Sequence, residues 1–383
     1  MILVLFWTMV LIIMKPLRYT TAAAADAGDG CLNALRFNLG SHITWPSSRI
    51  KCEYRASGRY VPSNIIHTRA QMCKDKAIVV SPKYKCGVPF TVGEISINVP
   101  SKCQTMTHAY PCWELHDECS CDSIINAVDL YLDCKGVLWV LDTGIINTIS
   151  SPTKKCGPKV VGFHCESGTV LSIVQLSSLV FPTSRLQYIT ADYNSDGGAF
   201  LYISDAATRA LLVWDVQSNS GYRVVLPKML MDGGVKRDVL YLALVRAKCG
   251  SNFLYFTYLS AMRMYYIKTQ HLQGHSSTGC IIDVGCKPGK IVVLGTDNGS
   301  VLFFRLHGEN DIYMWNTALP FKPYYFILAQ RGEDCRVATH VFPGYNRLMW
   351  VMESNFQDFL QGNVGCLGAS TSVHPMMKPT TSY

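Results

Sequence analysis

Charge is scarce in this 383-residue sequence: 16% of its residues are charged, against 49% hydrophobic. That balance excludes a disordered chain, which needs the reverse. A concentrated basic face is missing too. The formal net charge of +8 comes from 35 Lys and Arg set against 27 Asp and Glu. Basic residues meet only in local pairs such as Lys154-Lys155 and Lys236-Arg237. Nucleic-acid binding needs dense positive charge with base-reading partners, so none is expected. Hydrolase signatures are also absent: there is no Gly-x-Ser-x-Gly, no His-Glu-x-x-His and no phosphate-cradling glycine loop. The ten histidines are scattered, and no cofactor is expected.

Long hydrophobic runs are equally scarce, and Ile2 to Met14 stands alone. It is too short to span a bilayer comfortably and right for the core of a signal peptide. Lys15 and Arg18 follow the run rather than precede it, the charge order of a signal anchor. Ala22-Ala23-Ala24-Ala25 nevertheless offers a small-residue cleavage site. Residues 1–25 are therefore read as a signal peptide, with secretion and no membrane attachment after cleavage. All 16 cysteines lie beyond that segment, and 11 of them precede residue 166. An even count in a secreted chain reads as disulfides, concentrated here in the N-terminal part. Asn298-Gly299-Ser300 is a glycosylation sequon, which places Asn298 on a surface turn if used.

What the chain has in quantity is strand formers and punctuation: 20 Tyr, 15 Phe, 29 Gly and 17 Pro. The composition leans all-β. A run of apolar residues followed by a polar turn recurs at AIVVSP (77–82), LWVLDTG (138–144), LYISD (201–205), LYFTYL (254–259), VLFFRL (301–306) and LMWVMESNF (348–356). The starts are 61, 63, 53, 47 and 47 residues apart. Periods near 40–50 residues, several strands each, are the mark of propeller blades. Six copies predict a disulfide-stapled, six-bladed β-propeller. Each run is read as the inner strand of its blade, since burial on both faces demands unbroken apolarity. Leu201–Asp205 is expected to pair with Ala210–Val216, and Leu302–Leu306 with Ile312–Trp315. The reading gives an N-terminal extension and closing strand over 26–75, the propeller over 76–366 and a frayed tail over 367–383.

The same segments resemble the insect yellow/major royal jelly protein family. Pro82-Lys83 with Gly87-Val88-Pro89 is similar to its first-blade signature, and Tyr110-Pro111 with Trp113 to its Pro-Tyr-Pro-x-Trp stretch. Leu138-Trp139-Val140-Leu141-Asp142-Thr143-Gly144 is the most specific element, though Asp133 and Cys134 are adjacent where the family spaces them. Cys156-Gly157-Pro158, Tyr202-Ile203-Ser204-Asp205, Leu254-Tyr255-Phe256, Trp315-Asn316 and Trp350-Val351 follow in family order. The resemblance covers roughly residues 75 to 360 and implies a secreted six-bladed propeller. It leaves function divided among dopachrome-converting enzymes, binders of biogenic amines, nutritive proteins and components of cuticle or eggshell. The Leu294-Gly295-Thr296-Asp297-Asn298-Gly299 stretch, Asp311-Ile312-Tyr313-Met314-Trp315-Asn316 and the cysteine load look most like the eggshell-associated yellow-g branch. That branch implies vitelline-membrane or chorion proteins as partners and cross-linking as the task. The alternatives are a soluble binder of amines or catechols, or a dopachrome-converting enzyme. Cys134 and Cys156 match paired family positions, and a bridge there would contribute roughly 3 kcal/mol.

Propellers bind ligands at the ends of the central channel. The residues directly after the apolar runs are thus the candidates: Asp142, Asp205, Asn316 and Asn355, with Phe356 as an aromatic wall. The competing reading makes Asp142 and Asp205 turn caps, and it is the stronger one. Two metal readings are weaker still. Cys112 to Cys121 holds Cys, His and acidic residues, but its spacings fit disulfides better than zinc. Asp192 to Gly197 matches half a calcium loop, and Ile203 stands where the closing Glu is needed.

Overall fold

The computed structural model describes residues 36–98, 105–231, 238–247, 250–274, 280–332, 335–366 and 368–376. The expected signal peptide lies outside the described residues. Six four-stranded antiparallel sheets make the blades. Their innermost strands are Arg69–Cys73, Ala127–Leu132, Leu186–Tyr193, Leu240–Arg246, Ile291–Thr296 and Val337–Pro343. Each packs beside the next, and Val337–Pro343 returns to Arg69–Cys73, so the ring is closed. The chain is a six-bladed β-propeller.

The six apolar runs are the second strands of their blades, not the innermost ones: Lys76–Val80, Val137–Asp142, Ala199–Asp205, Asn252–Tyr258, Val301–Leu306 and Met349–Ser354. The reason is physical. A second strand has paired edges on both sides and packed faces on both sides, so nearly every residue is apolar. An innermost strand borders the channel and mixes in polar side chains, here Arg69, Gln71, Asp129, Thr190 and His340. The two expected hairpins form as read, with Asp205 opposite Ala210 and Phe304 opposite Tyr313. Hydrophobic clusters sit between neighbouring blades, as where Leu138, Val140 and Phe163 meet Ile78 and Val80. No blade could bury those faces alone.

The first described strand, Phe37–Leu39, closes the ring. It is the outermost strand of the last blade, pairing Phe37 with Val373 and Leu39 with Thr371. Its partner, Thr371–Pro375, is fully buried, which corrects the reading of residues after 366 as a frayed tail. The propeller likewise begins at Arg69, ahead of residue 76. A buried polar clasp locks this closure. The Glu353 carboxylate, 1% exposed, accepts from Gln330 Nε2 at 3.0 Å and His374 Nε2 at 3.2 Å, with Arg36 at 3.8 Å. Glu353→Ala strips those donors of their acceptor and is expected to cost about 3 kcal/mol. A lowered urea midpoint, with faster amide exchange in residues 37–39, would show it.

Two disulfides bind the first blade to the second. Cys73 bonds Cys165, and Cys121 bonds Cys156. The expected pairing of Cys134 with Cys156 is therefore corrected: Cys134 is exposed and unbonded. Cys134 sits in the turn before Val137–Asp142, whereas Cys156 sits in the connection after it. A six-residue strand at about 3.3 Å per residue holds them roughly 20 Å apart, on opposite faces of the ring. Among the described residues, no helix is long and apolar enough to cross a membrane.

Candidate functional site

A cavity of about 450 Å³ opens where the innermost strands begin and forms a vestibule to the channel. Its floor is built on Arg69. The guanidinium lies 3.4 Å from the Asp129 carboxylate, donates to the Thr339 carbonyl and covers the Tyr188 ring at 4.8 Å. Asp129 also accepts from the Ile189 amide at 2.9 Å. Burial pushes its carboxyl up to about 6, against the opposing pull of Arg69. Beyond this plug the channel continues past His340, whose Nδ1 accepts from the Ala70 amide at 3.2 Å. Burial and the adjacent Arg69 charge hold that imidazole well below its usual range.

Tyrosines and phenylalanines supply the walls. Tyr188 and Tyr241 rings lie 5.2 Å apart, and Tyr84 meets Phe356 at 6.1 Å. Burial raises the hydroxyl pKa of both Tyr84 and Tyr188, so both remain neutral donors. Phe181 stands at the rim beneath the Arg223 guanidinium, 4.7 Å from its ring centre. Arg185, Arg305 and Lys154 complete the charged part of the described lining. Among the described residues, no Asp or Glu lines the cavity.

The residues expected at the channel end divide three ways. Asp142 and Asp205 do end second strands on the vestibule face, but their carboxylates turn into the backbone. Asp142 accepts from the amides of Ile125 and Asn126 at 2.8 Å and of Gly144 at 2.9 Å. Asp205 accepts from the Arg185 amide at 2.8 Å and Ser184 Oγ at 2.5 Å. Both are fully buried and neither lines the cavity. Asn316 ends a third strand, which puts it on the opposite face of the ring, where it caps the Ala318 amide at 3.0 Å. Asn355 accepts from the Ser370 amide at 2.8 Å, and its neighbour Phe356 lines the vestibule.

Arg69, Arg305 and the tyrosine walls escaped the sequence reading. Arg305 did leave a signal, as the lone charge in the apolar run VLFFRL, where a buried guanidinium needs a reason. The tyrosines left none, since any strand of this chain supplies aromatics. Asn298 is exposed in the first hairpin of the fifth blade, at the far mouth of the channel. The zinc reading dissolves because Cys121 is bonded, His116 contacts the Tyr110 carbonyl at 2.9 Å and Glu118 pairs with Lys83. The Asp192–Gly197 segment is a hairpin turn closed by Asn194. Among the described residues no group of acids, His or Cys could hold a metal.

Comparison with known proteins agrees with the architecture. The chain is similar to Protein yellow of Drosophila guanche, 22% identical over 368 residues, covering 86% of this chain and 64% of that protein. It is similar to Protein yellow of Drosophila melanogaster at 22% identity, covering 83% and 63% respectively. The chain thus spans somewhat under two thirds of these relatives' length. A luciferin-regenerating enzyme overlays with a TM-score of 0.47 at 10% identity, covering 83% of this chain and 92% of that one, too distant to carry an argument. The sequence profile described as "Major royal jelly protein" matches residues 125–373, five of the six blades, and the chain belongs to the yellow/major royal jelly protein family.

Proposed function

We propose that this is a secreted structural protein of an extracellular coat, with the eggshell (vitelline membrane or chorion) as its site, held there by intermolecular disulfides. The observation that carries the reading is the surplus of surface thiol. Nine described cysteines are unbonded, and all but the half-buried Cys280 are exposed. Cys86, Cys112, Cys119, Cys335 and Cys366 fall in connections on the vestibule face of the ring, and Cys286 ends an outermost strand on that face. A rigid disc with thiols concentrated on one face, in an oxidising compartment, is suited to join neighbours covalently. The eggshell assignment leans on the yellow-g resemblance and on this cysteine excess. A glycan on Asn298 would stand on the other face and leave the thiols accessible.

Amine binding draws less support, because among the described residues the vestibule lining offers an ammonium group no carboxylate. The test of the coat reading is extraction of ovaries and laid eggs with and without reductant, followed by antibody detection. The expected result is protein in the egg coat that enters solution only after reduction, running as a ladder of multimers without it. Soluble monomer in haemolymph, saliva or cuticle would sink the reading.

A further inference from the structure

The vestibule carries an unbalanced charge. Arg305 is 8% exposed, yet every partner of its guanidinium is a neutral carbonyl: Ala338 at 2.9 Å, Leu306 at 3.3 Å and Glu309, through its main chain, at 3.4 Å. No ion pair joins it to a carboxylate among the described residues. Removing a guanidinium from water without a counter-ion is costly, and such groups are ordinarily paired. Arg69 faces the same Tyr188–Tyr241 pair, with Asp129 as its counter-ion at 3.4 Å. Arg185 and Lys154 line the same space. Carboxylates that lie near the cavity, Asp142, Asp205 and Asp238, are already committed to backbone amides and neighbouring hydroxyls.

We infer that the vestibule binds an organic anion with a flat, apolar body, its carboxylate or sulfonate seated between Arg305 and Arg69 and its ring held among Tyr84, Tyr188, Tyr241 and Phe356. The physical case has three independent parts. About 450 Å³ is within the range of small-molecule sites. A carboxylate would supply the counter-charge that Arg305 lacks, and guanidinium forks match carboxylates in geometry. Aromatic walls favour a planar partner through stacking and area burial. An ammonium ligand of the same shape would instead meet like charges in a poorly solvated space. This selectivity does not depend on the coat reading: a cross-linked protein and a soluble one would present the same cavity.

The test is a charge series on one skeleton, by isothermal titration with the secreted protein: indole-3-propionate, its neutral amide and tryptamine. The expected order is the carboxylate at least tenfold tighter than the amide, with tryptamine undetectable at millimolar concentration. Arg305→Gln is expected to weaken the carboxylate tenfold or more and to leave the amide within about twofold, erasing the preference. Should that variant fail to fold, Phe356→Ala on the wall and Lys154→Gln at the exposed rim carry the same test. The first should weaken carboxylate and amide alike, the second the carboxylate alone, with higher salt eroding its effect. Tryptamine binding as tightly as the carboxylate would overturn the inference. So would absence of any binding, or a folded Arg305→Gln protein with unchanged affinity.

Discussion

Replacing Cys73 and Cys165 by serine together is expected to remove about 4–5 kcal/mol of stability, because the bond closes a chain segment 92 residues long. In the chain-entropy account the gain comes from the unfolded state, which the bond deprives of most of its freedom there. The folded contacts around it are ordinary. Cys73 ends the innermost strand of the first blade, and Cys165 follows the third strand of the second. The Tyr110 hydroxyl donates to the Cys165 carbonyl at 2.9 Å from the same interface. Loss of the Cys121–Cys156 bond, 35 residues apart on the vestibule face, should cost slightly less, about 4 kcal/mol. Together the two bonds clamp one blade boundary at both faces. Urea unfolding of the purified variants measures both. A drop below 1 kcal/mol for the first pair would mean that the unfolded chain is already restrained by other bridges.

The architecture was legible because repetition is a property of the whole chain. Six apolar runs at similar spacing required six stacked units, whichever strand of the unit they proved to be. The assignment to the innermost strand failed on one assumption, that the centre of a propeller is its most apolar part. Arg69, Asp129 and His340 show otherwise, since a channel edge admits polar side chains that a doubly paired strand does not. The Cys134–Cys156 expectation failed because resemblance supplied the pair without the geometry. Once Val137–Asp142 is known to run between them, opposite faces of the ring follow at once.

The candidate site was less legible, and the reason is that its chemistry is assembled from residues within strands, Arg69, Tyr188, Tyr241 and Arg305, rather than from the turns that follow them. Asp142 stood out because an acid after an apolar run is conspicuous, and that conspicuousness came from its backbone role. Three amides converge on its carboxylate, so the residue stabilises the connection between blades and leaves nothing for a ligand. Phe356, directly after the last run, lines the vestibule, while its neighbour Asn355 holds the local backbone. Arg305, by contrast, interrupts an apolar strand in plain view. A charge at a position that must be buried says more about a site than a charge where turns are expected.

Stability should fall steeply as pH drops from about 6.5 toward 4, because buried histidines must be charged for the chain to unfold into acid. Burial lowers His67 and His116 from 6.5 to about 4. Each ring is held in one neutral form. His67 donates from Nε2 to the Gly40 carbonyl at 3.2 Å and accepts the Ser81 hydroxyl on Nδ1 at 2.7 Å. His116 donates from Nε2 to Tyr110, and its Nδ1 is buried without a partner, so a proton there would find no acceptor. The Lys83 charge opposes that proton further. A folded-state pKa below the unfolded one means stability that is complete above pH 6.5 and lost on descent through the folded value, about 3 kcal/mol per ring. His340, held well below its usual range by burial and by Arg69, acts in the same direction. Asp129 acts oppositely: raised from 3.8 to about 6, it takes up a proton that the unfolded chain refuses, returning about 3 kcal/mol on the same descent. Three rings outweigh one carboxyl, so the sum is a net loss of at least about 3 kcal/mol. Urea midpoints at pH 7.0, 5.5 and 4.5 measure it. Asp129→Asn should steepen the decline by removing the offset, and His116→Gln, which keeps a donor for the Tyr110 carbonyl, should flatten it. Equal midpoints at pH 7.0 and 4.5 would mean that these imidazoles take up protons as readily folded as unfolded, which their burial does not allow.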